Sequence, residues 1–177
     1  MTLATNFNVR TATVADATRL AVLAVQVWTH TYTTDGISQD IAEYLLRELT
    51  PEQYRNAISD ASTLVFVAER GDCLIGFAVV KFGSVCNVEG VADTELKTLY
   101  IQDHFTGQGV GLSLLLAAQT AAQERGNSAM WLSVNATNDR AMAFYTRHGY
   151  RKIGTSYFVL ADVHYENHVL VGTPIVA

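Results

Sequence analysis

Residues 107–111 read Gly-Gln-Gly-Val-Gly and stand between an apolar stretch and a long run rich in Leu and Ala. The preceding stretch, 95–101, predicts a strand, and residues 110–125 predict a helix that ends at Gly126. Glycines let the backbone approach a ligand closely, and the first turn of a helix offers free N–H groups and the positive end of its dipole. The pattern predicts an anion site, with a phosphate as its natural occupant. An ordinary tight turn is the alternative, because tight turns also need glycine.

Two well-known phosphate motifs do not match this loop. No Lys-Ser or Lys-Thr pair follows the last glycine, which excludes a P-loop. The dinucleotide fingerprint needs a third glycine three residues after its second, but that place holds Leu112 in one register and Leu114 in the other. The anion site therefore belongs to a different kind of fold.

Cysteine and histidine spacing argues against a metal centre. Cys73 and Cys86 are too few for a disulfide framework or a zinc cluster, and we interpret both as small core residues. His164 and His168 are four residues apart in strand-like sequence, where they would be about 13 Å apart at about 3.3 Å per residue. One metal ion cannot bridge that distance, so we predict no metal.

Composition limits the class of protein. The chain has 177 residues, 49% hydrophobic and 16% charged, which predicts one folded domain over residues 1–177. The net charge is −5 and no lysine/arginine run occurs, so we expect no nucleic-acid partner, while a cationic small substrate is compatible. The N-terminus lacks a signal-peptide pattern and no run of about 18 apolar residues occurs. We expect a cytoplasmic protein without a membrane partner.

Helical and alternating periodicities place the elements along the chain. Thr13 to Asp16 resembles a capping box that starts a first helix, and Pro51 stands at a helix start. Further helices are predicted over 38–49, over 110–125 and from Asn138. Strands are predicted over 7–13, 64–68, 74–82, 95–101, 131–134, 150–160 and 163–171.

Two motifs on these elements resemble the GNAT superfamily of acyl-CoA-dependent N-acyltransferases. Leu99-Tyr100-Ile101 followed by the loop 107–111 is similar to the family's strand and its Arg/Gln-x-x-Gly-x-Gly/Ala loop. Residues 138–150, Asn-x-x-Ala-x-x-Phe-Tyr-x-x-x-Gly-Tyr, match the family's second pattern. The resemblance extends over about residues 9–170. It departs at Thr106, where the family usually has Arg or Gln, and this predicts weaker binding of coenzyme A.

The resemblance implies an α/β (α+β) fold of the GNAT type. Its sheet is mixed, mostly antiparallel and six- to seven-stranded, splayed between the fourth and fifth strands and flanked by about four helices. It also implies acetyl-CoA as co-substrate and direct transfer of acetyl to a primary amine of a small molecule. The early Trp28/Tyr32 pair and the stretch 95–101 are similar to the bacterial polyamine acetyltransferases, which makes a polyamine the first hypothesis. A protein or peptide α-amine, or a non-catalytic acyl-CoA sensor, remains an alternative, and a homodimer is compatible with the family.

Family positions assign roles to three residues. Glu95 matches the general base, the Ile101 amide matches the donor to the thioester oxygen, and Tyr145 matches the general acid that protonates the leaving thiolate. A solvated carboxylate, a strand core residue and a packed tyrosine are the respective alternatives. The implied contacts to coenzyme A come from Leu99, Tyr100, Ile101, Thr106, Gly107, Gln108, Gly109, Val110, Gly111, Asn138 and Tyr145. Contacts to the amine are expected from Trp28, Tyr32, Glu89 and Asp93.

Overall fold

A computed structural model of the chain describes residues 6–89, 91 and 93–173. Seven strands and five α-helices occur in this part of the chain, one helix more than the roughly four expected. The strands are β1 (Asn8–Thr11), β2 (Thr63–Arg70), β3 (Cys73–Phe82), β4 (Thr94–Ile101), β5 (Met130–Asn135), β6 (Arg151–Leu160) and β7 (Val163–Gly172). The helices are α1 (Ala17–Tyr32), α2 (Gln39–Glu48), α3 (Pro51–Ser59), α4 (Val110–Glu124) and α5 (Asp139–Arg147).

The strands form one mixed sheet in the order β1-β2-β3-β4-β5-β7-β6. β1 pairs antiparallel with β2, and β7 pairs antiparallel with both β5 and β6. β4 and β5 are parallel, with Glu95 opposite Trp131. The predicted α/β class and sheet are confirmed. None of the helices in the described residues has the length and hydropathy that a membrane span requires.

The chain divides into two compact units, and the divisions between them fall within β3, β4 and α4. The described residues of the first unit are 6–79 and 98–117, and those of the second are 80–89, 91, 93–97 and 118–173. Trp28 lies in the first unit and Trp131 in the second.

In the first unit, α1 and α3 pack on β2 and β3 around the fully buried Phe77. Its ring makes edge-on contacts with Tyr54 and Tyr100, at centroid distances of 5.6 and 5.5 Å. Beside it, Gly76 has no room for a side chain, since a Cβ there would lie 2.9 Å from the carbonyl oxygen of Tyr100 and 3.3 Å from Leu114. Glycine at this position therefore lets the end of β4 and the start of α4 approach β3 closely.

The predicted capping box at the start of α1 is confirmed, and it holds an ion-pair network. Thr13 N–H donates to Asp16 Oδ2 at 2.7 Å. The Asp16 carboxylate, only 1% exposed, also accepts from Arg10 at 2.8 Å and from Arg19. The hydrogen bond from Arg10 holds the pKa of Asp16 well below its ordinary value, and Glu69 shares the same guanidinium at 2.8 Å.

In the second unit, Cys86, Trp131 and Val169 form a buried cluster. Tyr150 belongs to the same unit and covers Gly172. A Cβ at Gly172 would lie 2.7 Å from the Tyr150 ring. Burial raises the pKa of the Tyr150 hydroxyl to about 12, while a 3.4 Å hydrogen bond from Gln119 acts in the opposite direction. The ring thus completes a tightly filled core.

One prediction about the core is wrong. Cys86 is buried as expected, but Cys73 is exposed. It is the first residue of β3, directly after the Gly71-Asp72 turn, where the strand emerges into solvent. Composition alone favoured burial, whereas position at a hairpin turn decides exposure.

Candidate active site

Glu95 is a half-buried residue at the second position of β4, in the second unit. Its carboxylate Oε2 accepts a hydrogen bond from Ser84 Oγ at 2.6 Å. A charge-assisted hydrogen bond of this length holds the carboxylate in one orientation. The alternative of a freely solvated carboxylate therefore does not describe Glu95.

Ser84 is itself fixed through its main chain. Its N–H donates to the Asp93 carbonyl at 2.7 Å, and its carbonyl accepts from Trp131 Nε1 at 3.2 Å. Trp131 is buried and stands opposite Glu95 in the sheet. These main-chain contacts bring Ser84 close to Asp93 and direct its hydroxyl to the Glu95 carboxylate. Sequence reasoning missed Ser84, because no local pattern indicates this contact.

The two predicted acidic acceptor residues lie on the same loop. Asp93 and Glu89 are both exposed, and the main chain of Asp93 holds Ser84. Asp93, Glu95 and Ser84 are therefore brought together by one short segment, with Glu89 exposed on it. A carboxylate-rich loop is compatible with a cationic ligand.

In the first unit, the glycine loop precedes α4, as predicted, and two of its glycines have left-handed backbone conformations. Gly107 and Gly109 have φ of +74° and +86°, values that favour glycine. α4 begins at Val110, and Ser113 N–H makes a helical hydrogen bond to the Gly109 carbonyl at 3.0 Å. The N–H groups of residues 109–112 come before that bond and have no partner within the helix, which is the arrangement that binds phosphate.

Side chains on both sides of Gly107 brace this loop. Thr106 Oγ1 donates to the Asp103 carbonyl at 2.7 Å, and Gln108 Nε2 donates to the His104 carbonyl at 2.8 Å. Both side chains turn back onto the preceding 3₁₀ turn, Asp103–Phe105. Thr106 thus shapes the loop at the position where the family usually has a longer side chain.

Leu99, Tyr100 and Ile101 form the last part of β4 and are half-buried. Gln102, the next residue, donates its N–H to the Ile75 carbonyl at 3.0 Å. This contact and the close approach at Gly76 fix the backbone that bears the Ile101 amide. The Tyr100 side chain packs against the core of the first unit, where its ring contacts Phe77.

The predicted aromatic pair lies on α1, also in the first unit. Trp28 is buried and Tyr32 is 36% exposed, with ring centroids 5.0 Å apart, and Tyr44 of α2 is 5.5 Å from Trp28. Burial raises the pKa of Tyr44. The exposure of Tyr32 distinguishes this cluster from a closed core.

The same helix contacts the segment before the glycine loop. Gln102 Nε2 donates to Gln26 Oε1 at 2.7 Å, and His30 Nε2 is 3.7 Å from Asp103 Oδ1. Sequence reasoning did not predict these contacts, since they join residues far apart in the chain. They connect the aromatic helix α1 to the loop that the glycines form.

Asn138 stands at the start of α5 and Tyr145 lies on that helix, both in the second unit, as predicted. Asn138 is the N-cap, with Oδ1 accepting from Ala141 N–H at 3.0 Å. Tyr145 is 8% exposed, and its ring packs 5.3 Å from Phe144 and 5.6 Å from Tyr150. The aromatic contacts hold the Tyr145 ring in one orientation.

Comparison with known proteins decides the family. The sequence profile described as the acetyltransferase (GNAT) family matches residues 26–150, which include β4, the glycine loop, α4 and α5. The chain belongs to the GNAT family. As a GNAT protein it is an N-acetyltransferase, and the predicted resemblance is confirmed.

Other GNAT proteins resemble it over most of their length. An uncharacterized N-acetyltransferase of Mycobacterium tuberculosis is 26% identical over 156 residues, 88% of this chain and 96% of the relative. The spermidine N(1)-acetyltransferase of Thermoplasma acidophilum is 25% identical over 150 residues, 82% of this chain and 89% of the relative.

Solved GNAT structures share the fold. The PaiA N-acetyltransferase of Thermoplasma acidophilum in complex with coenzyme A has a TM-score of 0.77 at 22% identity, covering 94% of this chain and 98% of that one. The ribosomal-protein-S18-alanine N-acetyltransferase of Escherichia coli has a TM-score of 0.65 at 17% identity, covering 97% and 96%.

The start of α4 in this GNAT chain has the features of an anion site. Within residues 6–89, 91 and 93–173, no group of three or more His, Cys, Asp or Glu side chains is arranged to hold a metal ion. His164 and His168 both lie in the extended strand β7. The left-handed glycines and the start of α4 instead offer backbone N–H groups to an anion.

Proposed function

We propose that this GNAT enzyme transfers the acetyl group of acetyl-CoA directly to a primary amine of a small cationic molecule, with a polyamine as the first candidate. The observation that carries the proposal is the 2.6 Å hydrogen bond that fixes the half-buried Glu95 carboxylate. An amine must lose a proton before it attacks a thioester, and a fixed carboxylate is a suitable acceptor for that proton. Glu95 is the general base in this proposal.

The glycine loop and the end of β4 supply the binding groups for the acyl donor in this proposal. The amides of the glycine loop, residues 107–111, bind the pyrophosphate of coenzyme A at the start of α4. The Ile101 N–H donates to the thioester oxygen and stabilises the negative charge that develops there as the amine attacks. Leu99 and Tyr100 contribute the adjacent strand backbone.

Tyr145 of α5 is the proton donor in this proposal. Its hydroxyl protonates the departing thiolate. The attacking nitrogen loses one proton to Glu95 before the attack and a second one after the C–N bond has formed. The second proton restores the Tyr145 hydroxyl, and Glu95 releases the first to solvent. An unperturbed phenol has a pKa of about 10, so tyrosine carries its proton at neutral pH. Asn138, seven residues earlier on α5, contacts the arm of coenzyme A.

Charge and aromatic surface support a cationic amine. The net charge is −5, and Glu89 and Asp93 are exposed on the loop that holds Ser84. The partly exposed Tyr32 beside Trp28 offers an aromatic face, which attracts ammonium groups. The similarity to a spermidine N(1)-acetyltransferase over 82% of the chain favours a polyamine among the possible amines.

A thiol-release assay with acetyl-CoA tests the proposal. The amine panel contains putrescine, spermidine and spermine, an alanine-initiated peptide, and a reaction without amine. Thiol release that depends on a polyamine, with acetylpolyamine identified by mass spectrometry, is the expected result. Thiol release only with the peptide would show that the acceptor is a peptide α-amine and not a polyamine. Binding of acetyl-CoA without thiol release for any amine would identify a sensor instead of an enzyme.

A further inference from the structure

The hairpin of β6 and β7 carries a row of three polar side chains, Lys152, His168 and Glu166. A β-bulge lies between Lys152 and Gly154, so that Lys152 stands opposite Leu170 while Thr155 stands opposite His168. Leu170 and His168 are two residues apart on β7 and therefore project from the same face of the sheet. The bulge thus places Lys152 diagonally beside His168.

The contacts in this row define the roles of the ring nitrogens. Lys152 Nζ is 3.4 Å from His168 Nε2. A protonated lysine amine can only donate, so Nε2 acts as the acceptor and the ring proton resides on Nδ1. His168 Nδ1 is buried without a hydrogen-bond partner, and Glu166 Oε1 lies 3.8 Å away. The contact therefore needs a neutral imidazole, with its basic nitrogen directed at a lysine amine.

We propose that Lys152 is an acetylation site of this protein, with His168 as the base and the thioester acetyl-CoA as the acyl donor. His168 Nε2 accepts a proton from the Lys152 ammonium, and the neutral amine attacks the thioester carbonyl. A C–N bond forms, the C–S bond breaks, and the imidazolium returns its proton to the leaving thiolate. The net products are Nε-acetyl-Lys152, coenzyme A as the thiol, and one proton released to solvent.

The exposure of Lys152 and the small number of lysines in the chain allow its acetylation to be distinguished from unselective acetylation of lysines. Lys152 is exposed, so a thioester in solution reaches its amine, and Glu166 is half exposed on the far side of His168. The chain has three lysines, Lys81, Lys97 and Lys152. Lys97 is also exposed and is the internal reference for a lysine acetylated without the His168 contact.

The proposal takes only the acyl donor from the proposed function and does not need the amine-acetylating site. The full-length protein is incubated with isotopically labelled acetyl-CoA, and the occupancy of each lysine is followed by peptide mass spectrometry. We expect Lys152 to be acetylated about ten-fold or more faster than Lys97, a smaller factor than the roughly hundred-fold or more that is typical of a general base in an active site. His168→Gln should bring the Lys152 rate down to the Lys97 rate, while His164→Gln, on the same strand, should leave it unchanged.

Two further arms separate this reaction from turnover at the Glu95 site. Glu95→Gln should leave Lys152 acetylation unchanged, and the first-order rate should not depend on protein concentration. A rate that falls with Glu95→Gln or rises with protein concentration would assign the modification to acetyl transfer between molecules and overturn the proposal. Equal rates at Lys152 and Lys97 in the parent protein would overturn it as well. Circular dichroism and melting temperature establish that each variant is folded.

Discussion

Ser84 donates a 2.6 Å hydrogen bond to the Glu95 carboxylate across eleven residues of chain. Hydrogen bonds to Asp93 and Trp131 fix the main chain of Ser84. Because Ser84 is fixed, its hydroxyl holds the Glu95 carboxylate in one position. Preorganised groups of this kind keep a reacting atom within reach without further ordering at the moment of reaction. The relationship turns an ordinary strand residue into a candidate base.

Glu95→Gln should lower the turnover number for the amine by about 100-fold, because the amide keeps the shape of the side chain but cannot accept the proton. The acidic limb of the pH–rate profile should vanish in the same variant. Steady-state kinetics from pH 5 to 9 measure both effects. Parental turnover with an unchanged profile would show that Glu95 is a structural carboxylate.

Ser84 provides a graded comparison for the same experiment. Ser84→Ala should lower kcat less than Glu95→Gln does, with little change in KM for acetyl-CoA, while Ser84→Thr should restore activity because it keeps a hydroxyl. Loss of folding in the alanine variant would appear as a lower melting temperature. A threonine variant as impaired as the alanine variant would remove Ser84 from the positioning role.

Gly109→Asp should abolish binding of coenzyme A, since the new side chain brings a negative charge to the predicted anion site at a backbone φ of +86°. Gly126→Asp is a matched control, because Gly126 has a φ of +81° at the other end of α4. Calorimetric titration with coenzyme A measures the affinity of both variants. Equal affinities of the two variants for coenzyme A would show that its pyrophosphate does not bind at the glycine loop.

Thr106→Arg should tighten coenzyme A binding by about 1 kcal/mol, the scale of one partly exposed charged contact. The gain should shrink as the salt concentration rises, because screening weakens such a contact. Thr106→Gln is the uncharged comparison and should gain less, with little salt dependence. Weaker binding by the arginine variant would mean that the hydroxyl contact with the Asp103 carbonyl matters more than the added charge.

Tyr145→Phe should lower turnover by about ten-fold or more while keeping the affinity for coenzyme A. Phenylalanine preserves the ring contacts with Phe144 and Tyr150, so the fold should be unchanged. Tyr157→Phe, at a tyrosine that is 61% exposed, is the control. Full activity of the Tyr145 variant would show that the tyrosine only packs and that water donates the proton to the leaving thiolate.

Asp16→Asn should lower the free energy of unfolding by about 3 kcal/mol at pH 7, because two arginines lose a buried counter-charge. The folded-state pKa of Asp16 is depressed, so its stabilisation is fully present above the ordinary aspartate pKa of about 3.9 and is lost as the pH falls below it. Urea unfolding at pH 7 and pH 3 measures both effects. Glu69→Gln should have a smaller effect, and a pH dependence unchanged in Asp16→Asn would contradict the assignment.

Local signals predicted the elements well. Pro51, the Thr13–Asp16 capping box, the cap at Asn138 and the glycine at 126 each act on neighbours within a few residues, so the sequence pattern itself contains the physical cause.

Local sequence patterns did not predict the contacts between residues that are far apart in the chain. Ser84 and Glu95 are eleven residues apart, and Gln26 and Gln102 are 76 residues apart, so these hydrogen bonds depend on the fold of the chain between the partners. The ion pair of Arg10 with Glu69 likewise depends on the pairing of β1 with β2. Periodicity describes which face of an element is apolar, but it does not describe which distant polar group that face will meet.

The chain has two tryptophans, and they lie in different compact units, Trp28 in the first and Trp131 in the second. Each unit therefore carries its own intrinsic fluorophore. A Trp28→Phe protein would have all its indole emission from Trp131, whose N–H is bonded to the Ser84 carbonyl. Its emission wavelength would then report, without any attached dye, on the main chain of Ser84, the residue that holds the Glu95 carboxylate.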